Sequence, residues 1–138
     1  MTQRVPKPVF EIDGRKIDSL EAFFDEVSKV LVTALWGRNL DAFNDVLRGG
    51  FGTPDGGFVL RWINSAESRV ALGYGATVRY LELKSSRCHP DSVAYVAAEL
   101  DAARQGEGQT IFDVLVEIIR SHGPGGDEQE DGVELELR

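Results

Sequence analysis

The chain has 138 residues, 42% hydrophobic and 28% charged, which suits one globular domain, residues 1–138, with a real core. Its 23 acids against 15 bases leave a net charge of -8, which argues against nucleic acid as a partner and fits a cationic one. The lone cysteine, Cys88, excludes an internal disulfide. With only His89 and His122 in support it falls short of the roughly four ligands of a zinc site, so neither metal nor cofactor is expected.

The lead-in Met1 to Pro8 carries two prolines and is expected to be loose. It lacks the apolar stretch of a signal peptide, and no run approaches the ~20 apolar residues of a membrane helix, so a cytoplasmic protein with no membrane contact is expected. Val9 to Ile12 alternates and ends at the turn signal Asp13-Gly14, a first strand. Asp18 or Ser19 then caps a helix whose apolar stripe is Ile17, Leu20, Phe24, Val27, Leu31 and Ala34, with Glu21, Asp25, Glu26 and Lys29 opposite. After a turn at Trp36-Gly37-Arg38, Asn39 caps a second helix with the stripe Leu40, Phe43 and Leu47, closed at Gly49-Gly50. Trp36 and Trp62 both read as core residues. The turn-rich Thr53 to Gly57 leads into Phe58 to Trp62, whose apolar run predicts a central strand buried on both faces.

Asn64-Ser65 can cap a short helix through Val70 and Leu72, and Ala76 to Leu83 fits either a helix or a strand. Pro90-Asp91 opens a helix with apolar positions Val93, Val96, Ala97, Leu100 and Ala103. Thr110 and Asp113 make a box-like start to the last helix, with the stripe Ile111, Leu115, Ile118 and Ile119. The acidic, Gly-rich segment 124–132 reads as a solvated loop before a final edge strand, Val133 to Leu137. Strands separated by helical crossovers pair in parallel, so the fold class is α/β, a small three-stranded parallel sheet packed with helices.

The stretch from Leu35 to Leu60 carries the functional signal. Asp41 and Asp45 stand four residues apart and so share one helix face, beside a Gly-rich loop free to make close backbone contacts. An acid in the first helical turn is favoured by the helix dipole without any partner, at ~0.3–1 kcal/mol, which accounts for Asp41. Asp45 lies past that benefit, and two like charges at this spacing repel mildly. This face is therefore expected to meet something positively charged.

The run Trp36-Gly37-Arg38-Asn39-Leu40-Asp41-Ala42-Phe43-Asn44-Asp45, followed by a Gly-bearing loop and a strand ending at Trp62, resembles the barstar family of intracellular ribonuclease inhibitors. The resemblance covers most of the chain outside residues 66–108, which read as a helical insertion relative to compact members. It implies a barstar-like fold and the inhibition of a barnase-like ribonuclease, such as a ribonuclease toxin for which this chain is the immunity protein. The helix and adjoining loops would enter the nuclease cleft, with Asp41 and Asp45 standing in for substrate phosphates. Leu35, Gly37, Asn39, Asn44, Gly49 and Gly50 would be further contacts. The chain departs from the family pattern at Leu35 and Asn44, which replace aromatics, and at Arg38, which adds a positive charge to the acidic rim. Glu117 falls near the place of a further family acid on the last helix.

Two other functions compete. A barstar-fold interaction module with a non-nuclease partner fits the missing aromatics. A hydrolase using Asp41 and Asp45 as an acid/base or metal pair would want a cleft and a nearby histidine, so no enzyme is expected.

Overall fold

The computed structural model describes residues 6–33 and 35–138, so part of the lead-in and Ala34 lie outside the described residues. Strand β1 (Val9–Asp13) is followed by helices α1 (Leu20–Leu31) and α2 (Leu40–Arg48), then by strand β2 (Phe58–Ile63). Helices α3 (Ser65–Ala71), α4 (Tyr74–Ser85), α5 (Val93–Arg104) and α6 (Ile111–Ser121) precede strand β3 (Val133–Leu137). The sheet order is β1-β2-β3 and both pairings are parallel, as the long crossovers require.

Register explains the core. Phe10, Leu60 and Leu135 lie side by side across the sheet, as do Ile12, Trp62 and Leu137, while Phe58 pairs with Val133. These residues all belong to the main apolar cluster, together with the inward faces of α1, α2 and α6. Trp62 is its centre, with ring centroids 5.2 Å from Phe23 and 5.1 Å from Phe112. Its indole N–H donates to Ser68 Oγ at 3.0 Å, and that hydroxyl donates to the Gly14 carbonyl at 3.2 Å. The polar end of a large buried ring is thereby satisfied, while burial of each such ring contributes about 1.5–3 kcal/mol.

The opposite face of the sheet differs from expectation. β2 is central, but its second face is not a second core: the rung that crosses it is Glu11, Arg61 and Glu136, and Arg61 Nε donates to Glu136 Oε2 at 2.8 Å. The run Phe58-Val59-Leu60 looked two-sided because Val59 is apolar and buried. The charged rung next to it belongs to a face that no helix of the main core covers.

Helix starts follow their caps. Ser19 Oγ accepts from Ala22 N at 3.0 Å, Asn39 Oδ1 from Ala42 N at 2.8 Å, and Thr110 and Asp113 form a reciprocal box. Asn64 stands at the N-cap of α3, but its side chain makes no capping bond. It sits in the left-handed region (φ 53°) and donates to Asp13 Oδ1 at 2.9 Å, tying β2 to the end of β1. Residues 74–85 are helical, which resolves the ambiguity there.

Several expected faces shift. Phe23, outside the α1 stripe, is fully buried, and Glu26, placed on the polar face, is only 8% exposed and held by Lys29 Nζ at 2.9 Å. Val70 is 82% exposed, whereas Leu72 is buried. On α5, Val93 and Ala97 face solvent while Val96, Leu100 and Ala103 join Leu81 in a smaller apolar cluster with α4. The lead-in is anchored at its end: Val59 N donates to the Pro8 carbonyl at 2.8 Å, and Lys7 Nζ to the Gly132 carbonyl at 2.9 Å. Trp36 is half-buried, its ring 5.4 Å from Phe24 and its indole N–H on Ser28 Oγ at 2.9 Å.

Candidate functional site

The stripe Phe43, Val46 and Leu47 drives α2 onto the core, which turns Asp41 and Asp45 outward on one side of the helix. Asp41 is exposed in the first turn. Asp45 is exposed but not free, since Arg48 Nη1 donates to its Oδ1 at 2.7 Å. Arg48 also donates through Nε to Glu128 Oε1 at 2.5 Å, which raises the guanidinium pKa, with Glu128 as the larger cause and Asp45 the lesser. The same bond holds the Glu128 carboxyl below its ordinary range.

Both ends of α2 are shaped by backbone. Gly37 and Asn39 are exposed, and Leu35 before them is 99% exposed. Gly49 closes the helix with φ 112°, donating to the Val46 carbonyl at 3.2 Å, and exposed Gly50 follows at φ 93°. An L side chain rarely adopts such angles, so the double glycine is what lets the chain leave the helix and bend toward β2. Thr33 N donates to the Phe51 carbonyl at 2.8 Å, which fixes this loop to the end of α1.

Two of the singled-out side chains are engaged elsewhere. Arg38 turns away from the acidic face of α2 and onto α1, where Nη2 meets Asp25 at 2.5 Å and Glu21 at 3.2 Å. The hydrogen bond that Arg38 donates to Asp25, before the one it donates to Glu21, pushes the Arg38 pKa up. The expected intrusion of positive charge on the rim is thus neutralised within α1. Asn44 is half-buried and faces inward, its side-chain amide 2.5 Å from His122 Nε2.

His122 is what sequence reasoning missed. It ends α6, is fully buried, and its Nδ1 donates to Asp131 Oδ2 at 2.7 Å. Glu128 Oε2 stands 3.5 Å from Nε2. The segment 124–132 is therefore not simply a solvated loop: a 3-10 turn (Gln129–Asp131) folds its acids back onto His122 and Arg48. Its acidic, glycine-rich composition carried no sign of this, and the one available signal was a histidine following directly on an apolar helix. His122, Glu128 and Asp131 place ligand-type atoms within 4.8 Å of one another. Each already has a partner, and Arg48 supplies the positive charge, so the cluster is accounted for by its own hydrogen bonds.

Glu117 is exposed on α6 and accepts from Gln109 Nε2 at 2.5 Å. It lines a depression of about 600 Å³ with Arg69, Asp113, Arg120 and Asp127, to which no candidate residue of α2 contributes. Among the described residues no helix is long and apolar enough to cross a membrane.

The parallel sheet thus carries a short acidic helix, capped by Asn39 and Gly49, beside a glycine-bearing loop. The family model of barstar, the barnase inhibitor, matches residues 7–83, from the approach to β1 through most of α4, and the chain belongs to the barstar family. The match takes in α3 and most of α4, which the sequence resemblance had left out, and stops short of α6 and β3. No curated protein matches the chain.

Proposed function

We propose that this chain is an intracellular inhibitor of a barnase-like ribonuclease, acting in the cytoplasm as the immunity protein of a ribonuclease toxin. The observation that carries the reading is the pair Asp41 and Asp45, both exposed on one face of α2 in a member of an inhibitor family. A ribonuclease cleft holds cationic groups for phosphate. Carboxylates placed there exchange water for charge-assisted hydrogen bonds, which Arg can make bidentately. Asp41 and Asp45 occupy the phosphate positions, and Arg48 must yield Asp45 to the partner's cations on binding. Leu35, Gly37, Asn39, Gly49 and Gly50 form the flanking contacts, and Asn44 supports the helix from behind through His122.

Calorimetry against a panel of barnase-like ribonucleases tests this, with wild type beside Asp45→Ala. Truncating one partner of a desolvated charge pair costs about 2–5 kcal/mol, a range to which barnase and barstar themselves contribute. The expected loss of affinity is thus roughly 30-fold to several thousand-fold. Equal binding by Asp45→Ala would remove the helix face from the site.

A second reading keeps the fold and gives this face a non-nuclease partner. The inward turn of Asn44 favours it, because that position offers the partner no aromatic contact. Its test is the same panel: no binding to any nuclease, with capture of a different protein that Asp45→Ala abolishes.

A further inference from the structure

We propose that the cavity enclosed by α4, α5 and the start of α6 binds an alkylammonium group, a site separate from the acidic face of α2. The cavity measures about 240 Å³, and its walls include Leu40, Tyr80, Leu81, Ala102, Ile111 and Val114. Glu99 also lines it, and Glu99 Oε1 is buried with no hydrogen-bond partner. A buried carboxylate oxygen that has lost its hydration without gaining a donor is unfavourable, so it selects an occupant that brings one.

Two of the protein's own donors around the cavity are committed elsewhere. Thr77 Oγ1 donates to the Gly73 carbonyl at 2.8 Å and accepts from Ile111 N at 2.9 Å. The Gln109 amide serves Glu117. Lys84 borders the cavity, but its ammonium stands 6.0 Å from the centroid of the Tyr80 ring and makes no ion pair with Glu99. With Glu107 also on the rim, two carboxylates face one ammonium, so the lining favours a cation.

The buried Glu99 oxygen needs one donor, which a point ammonium supplies. The aliphatic walls take the carbon chain.

The test is amide NMR titration of the full chain with n-butylammonium, and with n-butanol as the neutral probe. The expected result is shifts at Ala102, Thr110, Ile111 and Val114, with the amine at least about tenfold tighter than the alcohol, as a charge-assisted bond requires. Glu99→Gln should abolish that preference while the alcohol still binds. Ala102→Leu, which fills the cavity, should abolish both. Nα-acetyl-lysine methylamide separates the two sources of the group: binding like butylammonium points to a lysine presented by a polypeptide, rejection to a free amine. Equal affinity for amine and alcohol, or an amine preference that survives Glu99→Gln, would overturn the proposal. So would amine binding that emerges only in Lys84→Met, because Lys84 would then be the natural partner of Glu99.

Discussion

At the scale of single residues, His122 links the two halves of the molecule that matter for the site. A buried imidazole is tolerated because Asp131 accepts from Nδ1 and the Asn44 amide meets Nε2. Replacing it with leucine keeps most of the volume but strands both partners, and an unsatisfied buried polar group costs about 1–3 kcal/mol. Asp131 retains some contact with water, so His122→Leu should lose about 2 kcal/mol of unfolding free energy in urea titration. A loss below about 0.5 kcal/mol would mean that the imidazole adds little to what holds segment 124–132. The same change loosens Asn44, and through it the back of α2, so Asp45→Ala and His122→Leu should differ in kind. The first should alter partner affinity with stability intact, and the second stability first.

At the scale of elements, the open face of the sheet is held by charge rather than by packing. Arg61 on β2 bonds to Glu136 on β3, and this bond is the main cause that holds the Glu136 carboxyl below its ordinary value. Glu128 is lowered by Arg48, and Asp13 chiefly by the bond from Asn64. In each case the folded pKa lies below the unfolded one. The stabilisation is therefore complete above the usual carboxylate range, about 3.9–4.3, and is lost as pH falls through the folded values. Stability should decline from about pH 5 downward, and Glu136→Gln should flatten that limb while leaving neutral-pH stability only slightly lower. Denaturant midpoints measured across this range decide it. Curves for the two proteins that stay parallel would show that Glu136 has no part in the acid response.

At the scale of the whole molecule, the apolar residues form two unequal clusters. The main one runs through the sheet, α1, α2 and α6, while the one between α4 and α5 has only Leu81, Val96, Leu100 and Ala103 fully inside. Fewer buried contacts mean cheaper local opening. Amides of α5 should exchange with solvent at a lower opening free energy than those of β2 and α6, measurable by native-state hydrogen exchange. Equal protection would make the domain one cooperative unit. The net charge of -8 acts at the same scale. If the partner is cationic as proposed, stopped-flow association should slow as salt rises from about 0.01 to 0.15 M and the screening length falls from about 30 to 8 Å. An association rate indifferent to salt would leave the net charge without a role in binding.

Local chemistry was enough to read the elements. Apolar periods of two and near four, caps at Ser19, Asn39 and Thr110, and glycine stops at Gly49-Gly50 act within a few residues, so strands, helices and parallel pairing were legible, as was the outward pair Asp41 and Asp45. What sequence could not carry was anything that depends on what lies across a gap. Val59 and Arg61 read as part of a two-sided core strand because sequence does not say which face the helices will cover. Glu26 read as solvated because its burial is set by its neighbours in space. Asn44 and His122 are 78 positions apart, and only the packing of α6 against α2 brings them to 2.5 Å. The turning of Arg38 onto α1, the return of the acids of 124–132 and the unpartnered Glu99 oxygen were settled in the same way. Sequence by itself determined the sheet, the acidic helix face and the elements other than 76–83, which it left between helix and strand, through interactions of short range. Tertiary structure alone decided which polar groups found partners, because pairing at that range requires the chain to have already closed on itself.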